Sequence, residues 1–201
     1  MAETVVQSLR WTVSDLEVFP EDGKLREIVD GELFVSTQPH LGHQFSCAKI
    51  IYRLVSWNEE HRLGEVAVAP GVIISPEDAV APDVIWISHR RLAEAQDASG
   101  HLRLAPELVV EVLSPGATNH RRDREAKLKL YSQRGVREYW IVDWRSQQVE
   151  VYRREGITLV LAGTHFADDT LDSALLPGFR VLVRDLFANL ASLPSEPAAG
   201  E

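Results

Sequence analysis

The sequence predicts a mixed α/β (α+β) domain: a central sheet whose main elements run helix-strand-strand-strand-helix-strand, with an N-terminal hairpin and added C-terminal strands. Three observations carry this. The β-branched run LVVEVL from Leu108, a helix-length segment capped near Thr118 and the run EYWIVD follow one another as a crossover unit, whose two strands must lie parallel. LREIV and ELFVS flank Asp30-Gly31, a strong hairpin signal, so antiparallel pairs are expected too. Phe45, Ala48, Ile51, Leu54 and Val55 recur at helical spacing between His43 and His61.

The remaining elements follow in order. A short helix is expected from Ser14 to Phe19, ahead of the hairpin, and Gly64 ends the helix that starts near His43. EVAVAP and GVIIS read as a strand that bends or turns at Pro70-Gly71, and DVIWIS, Asp83 to Ser88, as another entered through Pro82. The strand carrying Glu111 comes next. Thr118 or Asn119 can cap a helix reaching about Arg134, which Gly135 terminates before the strand Glu138 to Asp143. QVEVYRR and ITLVLA form a hairpin, and FRVLV precedes a short helix from Asp185 to Leu190. Residues 1–190 are expected to make one domain, while 191–201 have too little apolar content to pack and are expected to be disordered.

A chain of 201 residues, 45% hydrophobic and 25% charged, has the composition of a soluble globular protein. The start has neither a basic n-region nor an apolar h-region, and no apolar run approaches the roughly 20 residues that cross a bilayer. No membrane role and a cytoplasmic location are expected. Cys47, the only cysteine, excludes internal disulfides and any multi-cysteine zinc site, and reads as a small core residue. The net charge of -9 argues against a nonspecific nucleic-acid coat. One segment runs the other way: Arg121, Arg122, Arg124, Lys127, Lys129, Arg134 and Arg137 face only Asp123 and Glu125 between Asn119 and Arg137.

Glu111 needs an explanation, because an ionised carboxylate in a strand buried on both faces costs several kcal/mol or more without a cation, a proton or a metal. The crossover helix supplies a candidate. On a helical wheel Lys127 falls between Leu130 and Tyr131, so if those two face the sheet the lysine does as well. Asp83 opens an apolar strand where loop becomes sheet, and taken alone it reads as a strand-edge or turn residue before a functional one. Together, two carboxylates on neighbouring strands make an oxygen-rich site for a hard cation such as Mg²⁺ or Mn²⁺, with a lysine opposite to hold a phosphate or polarise a water. Such a site suits phosphodiester hydrolysis, and the basic helix would then meet the phosphate backbone.

These residues resemble a known family. The element order, with Pro82-Asp83 on the second strand and Glu111 on the third, resembles the restriction-endonuclease-like core of the PD-(D/E)XK nuclease superfamily. More closely, IVDGELFVS, the Pro39 and His43 spacing, APDVIWIS, PELVVEVLSP, the Asp123, Lys127, Tyr131 spacing and GVREYWIVD resemble the Uma-two family, from about Glu27 to Asp143. The resemblance implies a metal-dependent DNA endonuclease with Asp83 and Glu111 as metal ligands. The superfamily's lysine stands two residues after the acid, where this chain has Leu113; the matching lysine is Lys127, on the following helix. Glu32 and His43 occupy positions that recur in the family and are second-rank candidates. Arg121, Arg122 and Arg124 are the expected phosphate contacts, and a homodimer is expected by analogy. Two rivals remain open: a non-catalytic nucleic-acid- or protein-binding domain in which Glu111 and Lys127 are a buried ion pair, and a zinc hydrolase using His40 and His43.

Overall fold

The computed structural model describes residues 9–187. A 3-10 helix (Val13–Val18) precedes β1 (Leu25–Val29), β2 (Glu32–Ser36) and the long α1 (Leu41–His61). Next come β3 (Gly64–Val68), β4 (Val72–Ser75), β5 (Asp78–Val80), β6 (Val84–Ser88), α2 (His89–Ala95) and β7 (Leu108–Val112). One helical stretch follows, divided into α3 (Ala117–Arg121), a π-helical segment (Arg122–Lys127) and α4 (Leu128–Gln133). The chain then forms β8 (Glu138–Asp143), β9 (Gln148–Glu155), β10 (Thr158–Phe166), β11 (Thr170–Asp172), β12 (Arg180–Leu182) and a 3-10 helix (Val183–Leu186). The tail 191–201, and the end of the short helix expected at Asp185 to Leu190, lie outside the described residues.

The mixed α/β class holds. Six strands form one sheet in the order β10-β9-β8-β7-β6-β3, in which β7 and β8 are parallel and every other pair is antiparallel. The parallel pair is the crossover predicted around Glu111. All five residues of β7 are buried, as a strand covered on both faces requires. Alternation sends Leu108, Val110 and Val112 toward α1 and the C-terminal segment, where Ile50, Leu54, Trp57 and Phe179 complete a core. Val109 and Leu113 face the other way, into a second core with Leu130 and Tyr131 of α4. Glu111 shares that second face.

The differences from expectation have physical causes. The buried face of α1 is Gly42, His43, Ser46, Cys47, Ile50, Leu54 and Trp57, while Phe45 and Val55 of the expected stripe are exposed. Small and polar residues hide the true face: a Cβ on Gly42 would lie 2.5 Å from the Trp144 ring, so the helix approaches the sheet too closely for an apolar stripe to begin there. The segments around Pro70-Gly71 do not form one bent strand. Ala69 has φ +44° and the chain turns there, leaving β3 in the large sheet and sending β4 into a second one. That second sheet, in the order β2-β1-β5-β4, is antiparallel and contributes Val29, Phe34, Val72 and Val80 to the α4-side core. The three residues of β5 and the seven of α2 were too short to read as periodic elements. The helix after β7 starts at Ala117 with Gly116 as its N-cap, earlier than Thr118 or Asn119 would set it.

Candidate active site

The ladder between β6 and β7 assembles the site. Its register pairs Val84 with Val110 and Ile85 with Val109; one step further sets Asp83 beside Glu111. The Val112 amide donates to Asp83 Oδ2 at 2.8 Å, and His43 Nε2, from the first turn of α1, lies 3.2 Å from the same oxygen. The opposite ring nitrogen, Nδ1, lies 3.6 Å from Cys47 Sγ. His43, Cys47 and Asp83 thus bring three potential ligand atoms within 4.8 Å of one another. The imidazole stands between thiol and carboxylate with one nitrogen toward each, which suits orienting Asp83 better than wrapping one ion.

Glu111 Oε1 accepts hydrogen bonds from Lys127 Nζ at 2.8 Å and from the Tyr131 hydroxyl at 2.9 Å. Lys127, only 1% exposed, lies equally close to Glu27 Oε1 of β1, at 2.8 Å, and 3.9 Å from Asp123. Glu27 also accepts the Ala81 amide at 2.9 Å, two residues before Asp83, so one carboxylate ties the approach to β6 to the lysine. Arg122 grips Asp123 through Nε at 2.7 Å and Nη2 at 3.1 Å, reaches Ser36 Oγ at 2.6 Å and stands 3.6 Å from Glu27. Asp83, Glu111, Glu27, His43, Arg122 and Lys127 all line one cavity of about 110 Å³.

The π-helical segment explains why Arg122 is here. In an α-helix residues five apart point about 140° away from each other. A π turn closes i→i+5 hydrogen bonds and stacks them on one side, so Arg122 and Lys127 can both turn inward with Asp123 between them.

The family model called Uma2, described as "Putative restriction endonuclease", matches residues 11–186. The chain belongs to the Uma2 family. A solved structure from Anabaena variabilis ATCC 29413, titled a "putative nuclease belonging to DUF820", is 17% identical and aligns with a TM-score of 0.69 over 88% of this chain and 97% of that one. At that identity the likeness establishes a shared fold. No curated protein matches the chain.

The charges in this Uma2 site do not cancel. With every carboxyl ionised, Glu27, Asp83, Glu111 and Asp123 face, among the described residues, only Arg122 and Lys127, a formal surplus of two negative charges before any proton on Glu111 or His43 is counted. Burial pushes the Glu111 carboxyl up to about 8; Lys127 opposes the shift, while Asp123, Asp83 and Glu27 add to it. For Lys127 burial acts to lower the pKa, but Glu111, Glu27 and Asp123 outweigh it and keep the amine a cation. The pair is therefore unequal: the lysine holds its charge in the interior, while burial works against the charge on the glutamate. Burial would also raise Asp83, yet the His43 ring, the Val112 amide and Lys127 hold it below the usual carboxylate range. Burial, with Asp83 and Glu111 nearby, drives the Cys47 thiol well above its ordinary value, so it is no thiolate.

Of the residues singled out in the sequence, Asp83, Glu111, Lys127 and His43 come together in this Uma2 chain. Glu32 does not: it is exposed on the outer side of the helix, ion-paired with Arg121, which also lies over the Phe34 ring at 6.0 Å. Arg122 is interior rather than on a surface. Arg124 pairs with Glu150 at 2.6 Å and contacts His120 at 3.1 Å. His40 is not part of the His43, Cys47 and Asp83 group; its Nδ1 accepts the Gly42 amide at 2.9 Å and its ring stacks on Trp144. Sequence reasoning missed Glu27 and Arg122 as interior partners, gave Asp123 no role beyond its spacing to Lys127, and took Tyr131 for a core aromatic alone. For Glu27 a signal existed, since strand alternation puts it on one face with Val29, which is buried. Arg122 had none, because the wheel assumed a uniform α-helix.

Proposed function

We propose that this chain is a metal-dependent phosphodiesterase, a DNA endonuclease of the restriction-endonuclease-like type, with Asp83 and Glu111 holding Mg²⁺ or Mn²⁺ and Lys127 completing the catalytic set. Four carboxylates gathered about two cations are the observation that carries this reading: fully ionised they leave two negative charges, which a divalent cation would meet in place of the proton that burial holds on Glu111. The donor set fits a hard ion. Both hydrogen bonds to Glu111 go to Oε1, and both close contacts to Asp83 go to Oδ2, so each carboxylate keeps an oxygen outside those contacts. When bound, such an ion supplies Lewis-acid stabilisation of a phosphoryl oxygen and lowers the pKa of a coordinated water.

The protein's own groups then have distinct work. Lys127 stays protonated and spends two of its three N–H bonds on Glu111 and Glu27, so the third can hold the phosphate or orient the attacking water as a donor rather than as a base. His43 fixes Asp83, and Tyr131 fixes Glu111. Arg121 sits in a surface ion pair worth about 0–1 kcal/mol, which a phosphate can replace at little cost, while Arg124 sits in a half-buried pair with Glu150 that holds it more firmly. Arg122 serves from inside by holding Asp123 and Glu27. No described helix is long and apolar enough to cross a membrane. The cytoplasmic location is proposed together with the DNA substrate.

We also propose a homodimer built through β10. This strand ends the large sheet, spans nine residues without an Asp, Glu, Lys or Arg, and exposes Val160, Leu161 and Phe166. The Leu159 amide is taken by Ser132 Oγ at 3.0 Å and the strand bulges between Leu161 and Gly163, so the pairing proposed is of the uncharged stretch from the bulge onward, which with its own antiparallel copy closes about a two-fold axis. Light scattering on a sizing column should show a dimer for the wild type and a monomer for Leu161→Lys. A monomeric wild type would remove this contact.

The 2.8 Å contact between Glu111 and Lys127 also favours a second reading, a non-catalytic binding domain in which the two are a structural ion pair. Metal response separates the two. Glu111 binds its proton more tightly in the folded than in the unfolded chain, so metal-free stability should fall as pH rises from about 4.5 to about 8. Saturating Mn²⁺ displaces that proton, and the fall should flatten. A melting curve with the same pH slope with and without Mn²⁺ would favour the second reading. The direct test is nicking of supercoiled plasmid in Mn²⁺, where Asp83→Asn should cut at least about a hundredfold slower than wild type. Equal nicking by both removes Asp83 from the site.

A further inference from the structure

We infer that a neutral groove beside the carboxylate cavity is a nucleoside subsite, receiving one unstacked base and its sugar next to the phosphate on which Asp83 and Glu111 act. The inference rests on the nuclease reading and specifies its substrate: a single strand, or a locally opened one. The groove, about 390 Å³, lies between the loop after β2 and the loop after β7, and Ser36, Gln38 and Ser114 line both it and the carboxylate cavity. Among the described residues no Asp, Glu, Lys or Arg lines it. A phosphate would want cations there. A base and a sugar present neutral donors, neutral acceptors and an aromatic face, and the groove offers the complement of each.

His40 supplies the aromatic surface. One face of its ring is covered by Trp144, with centroids 4.9 Å apart and planes within 6°, which leaves the rest of the ring to line the groove. Because Nδ1 accepts the Gly42 amide, the ring proton sits on Nε2 and is available to donate. Ser36 accepts from Arg122 at 2.6 Å and so keeps its own hydroxyl proton for a ligand. Asn119 donates its amide to the Pro115 carbonyl at 2.6 Å, leaving its side-chain oxygen as an acceptor. Donors and an acceptor around a stacking ring match the edge and face of a nucleobase. A base inside a duplex has neither face free, so occupancy demands that it leave the stack.

Fluorescence anisotropy with a short labelled oligonucleotide in Ca²⁺ tests the subsite by binding, apart from cleavage. The single strand should bind at least about tenfold more tightly than the duplex of the same sequence. His40→Ala should lose most of that advantage, whereas His40→Phe keeps a ring and should retain it. Both variants lack the Nδ1 cap on α1, so an equal loss in the two assigns the effect to the helix and overturns the subsite. Duplex binding as tight as single-strand binding overturns it too. If single strands bind as expected but wild type nicks nothing in Mn²⁺, the nuclease reading fails and the subsite stands. If plasmid is nicked while single strands bind no better than duplex, the subsite fails and the nuclease reading survives.

Discussion

Glu111→Gln should raise the melting temperature of the metal-free protein, remove its stabilisation by Mg²⁺ or Mn²⁺, and lower nicking about a thousandfold. The stability gain follows from the charge count. At neutral pH a carboxyl pushed up to about 8 by burial costs the folded state about 1–3 kcal/mol relative to its ordinary ionisation, and the amide does not incur that cost. Lys127 is not stranded by the change, because Glu27 remains at 2.8 Å. The metal response decides between the readings. With ion at a hundredfold its dissociation constant, wild type should gain about 2.7 kcal/mol and the variant almost nothing. If neither protein responds to divalent ions, the cluster is an electrostatic brace and the catalytic proposal falls.

Lys127→Ala should act in the opposite direction on stability. Removing this cation raises the negative surplus and leaves Glu27 and Glu111, both buried, without the amine that stands 2.8 Å from each. Breaking a buried pair from one side typically costs about 3–5 kcal/mol. Divalent ions should recover part of that loss and stabilise the variant more than they stabilise wild type, since the vacated charge is what they supply. Nicking should nevertheless disappear, because the metal cannot provide the remaining N–H donor. Denaturant melts with and without Mn²⁺ give the first result, and plasmid nicking gives the second. A variant as stable as wild type would mean that the carboxylates are already protonated together, and one that still nicks would remove Lys127 from the reaction.

The sequence disclosed whatever a single local rule controls. Asp30-Gly31 set the hairpin, the β-branched run around Glu111 set the central strand, and the wheel around Leu130 and Tyr131 delivered Lys127 to the right face because α4 begins immediately after it. Asp83 and Glu111 came together through one ladder register, which alternation alone makes plausible. What stayed hidden depends on two segments at once. Glu27 matters because β1 and β5 form a sheet that meets the crossover helix, and the three-residue β5 leaves no periodic trace. The inward face of α1 stayed hidden because close approach to Trp144 requires Gly42, and His43, Ser46 and Cys47, held by Asp83 and by the helix itself, follow it on the same face, a set that looks polar in a wheel. The basic run from Arg121 looked like a free electropositive surface, yet Glu32, Glu27, Glu150, Asp30 and Asp78 arrive from elsewhere to meet it.

The helix that delivers Lys127 is wound with one residue too many for its length. Rewinding the same six residues as an ordinary α-helix would turn the guanidinium about 140° away from Lys127, whereas excising one of them would leave the two four apart and again on one face. In the rewound helix Asp123 would lose its two-pronged grip and Glu27 its second cation, so the balance of charge around the two candidate ligands would shift with no change to either. The winding of one helical turn, away from the strands, is therefore part of the electrostatics of the site.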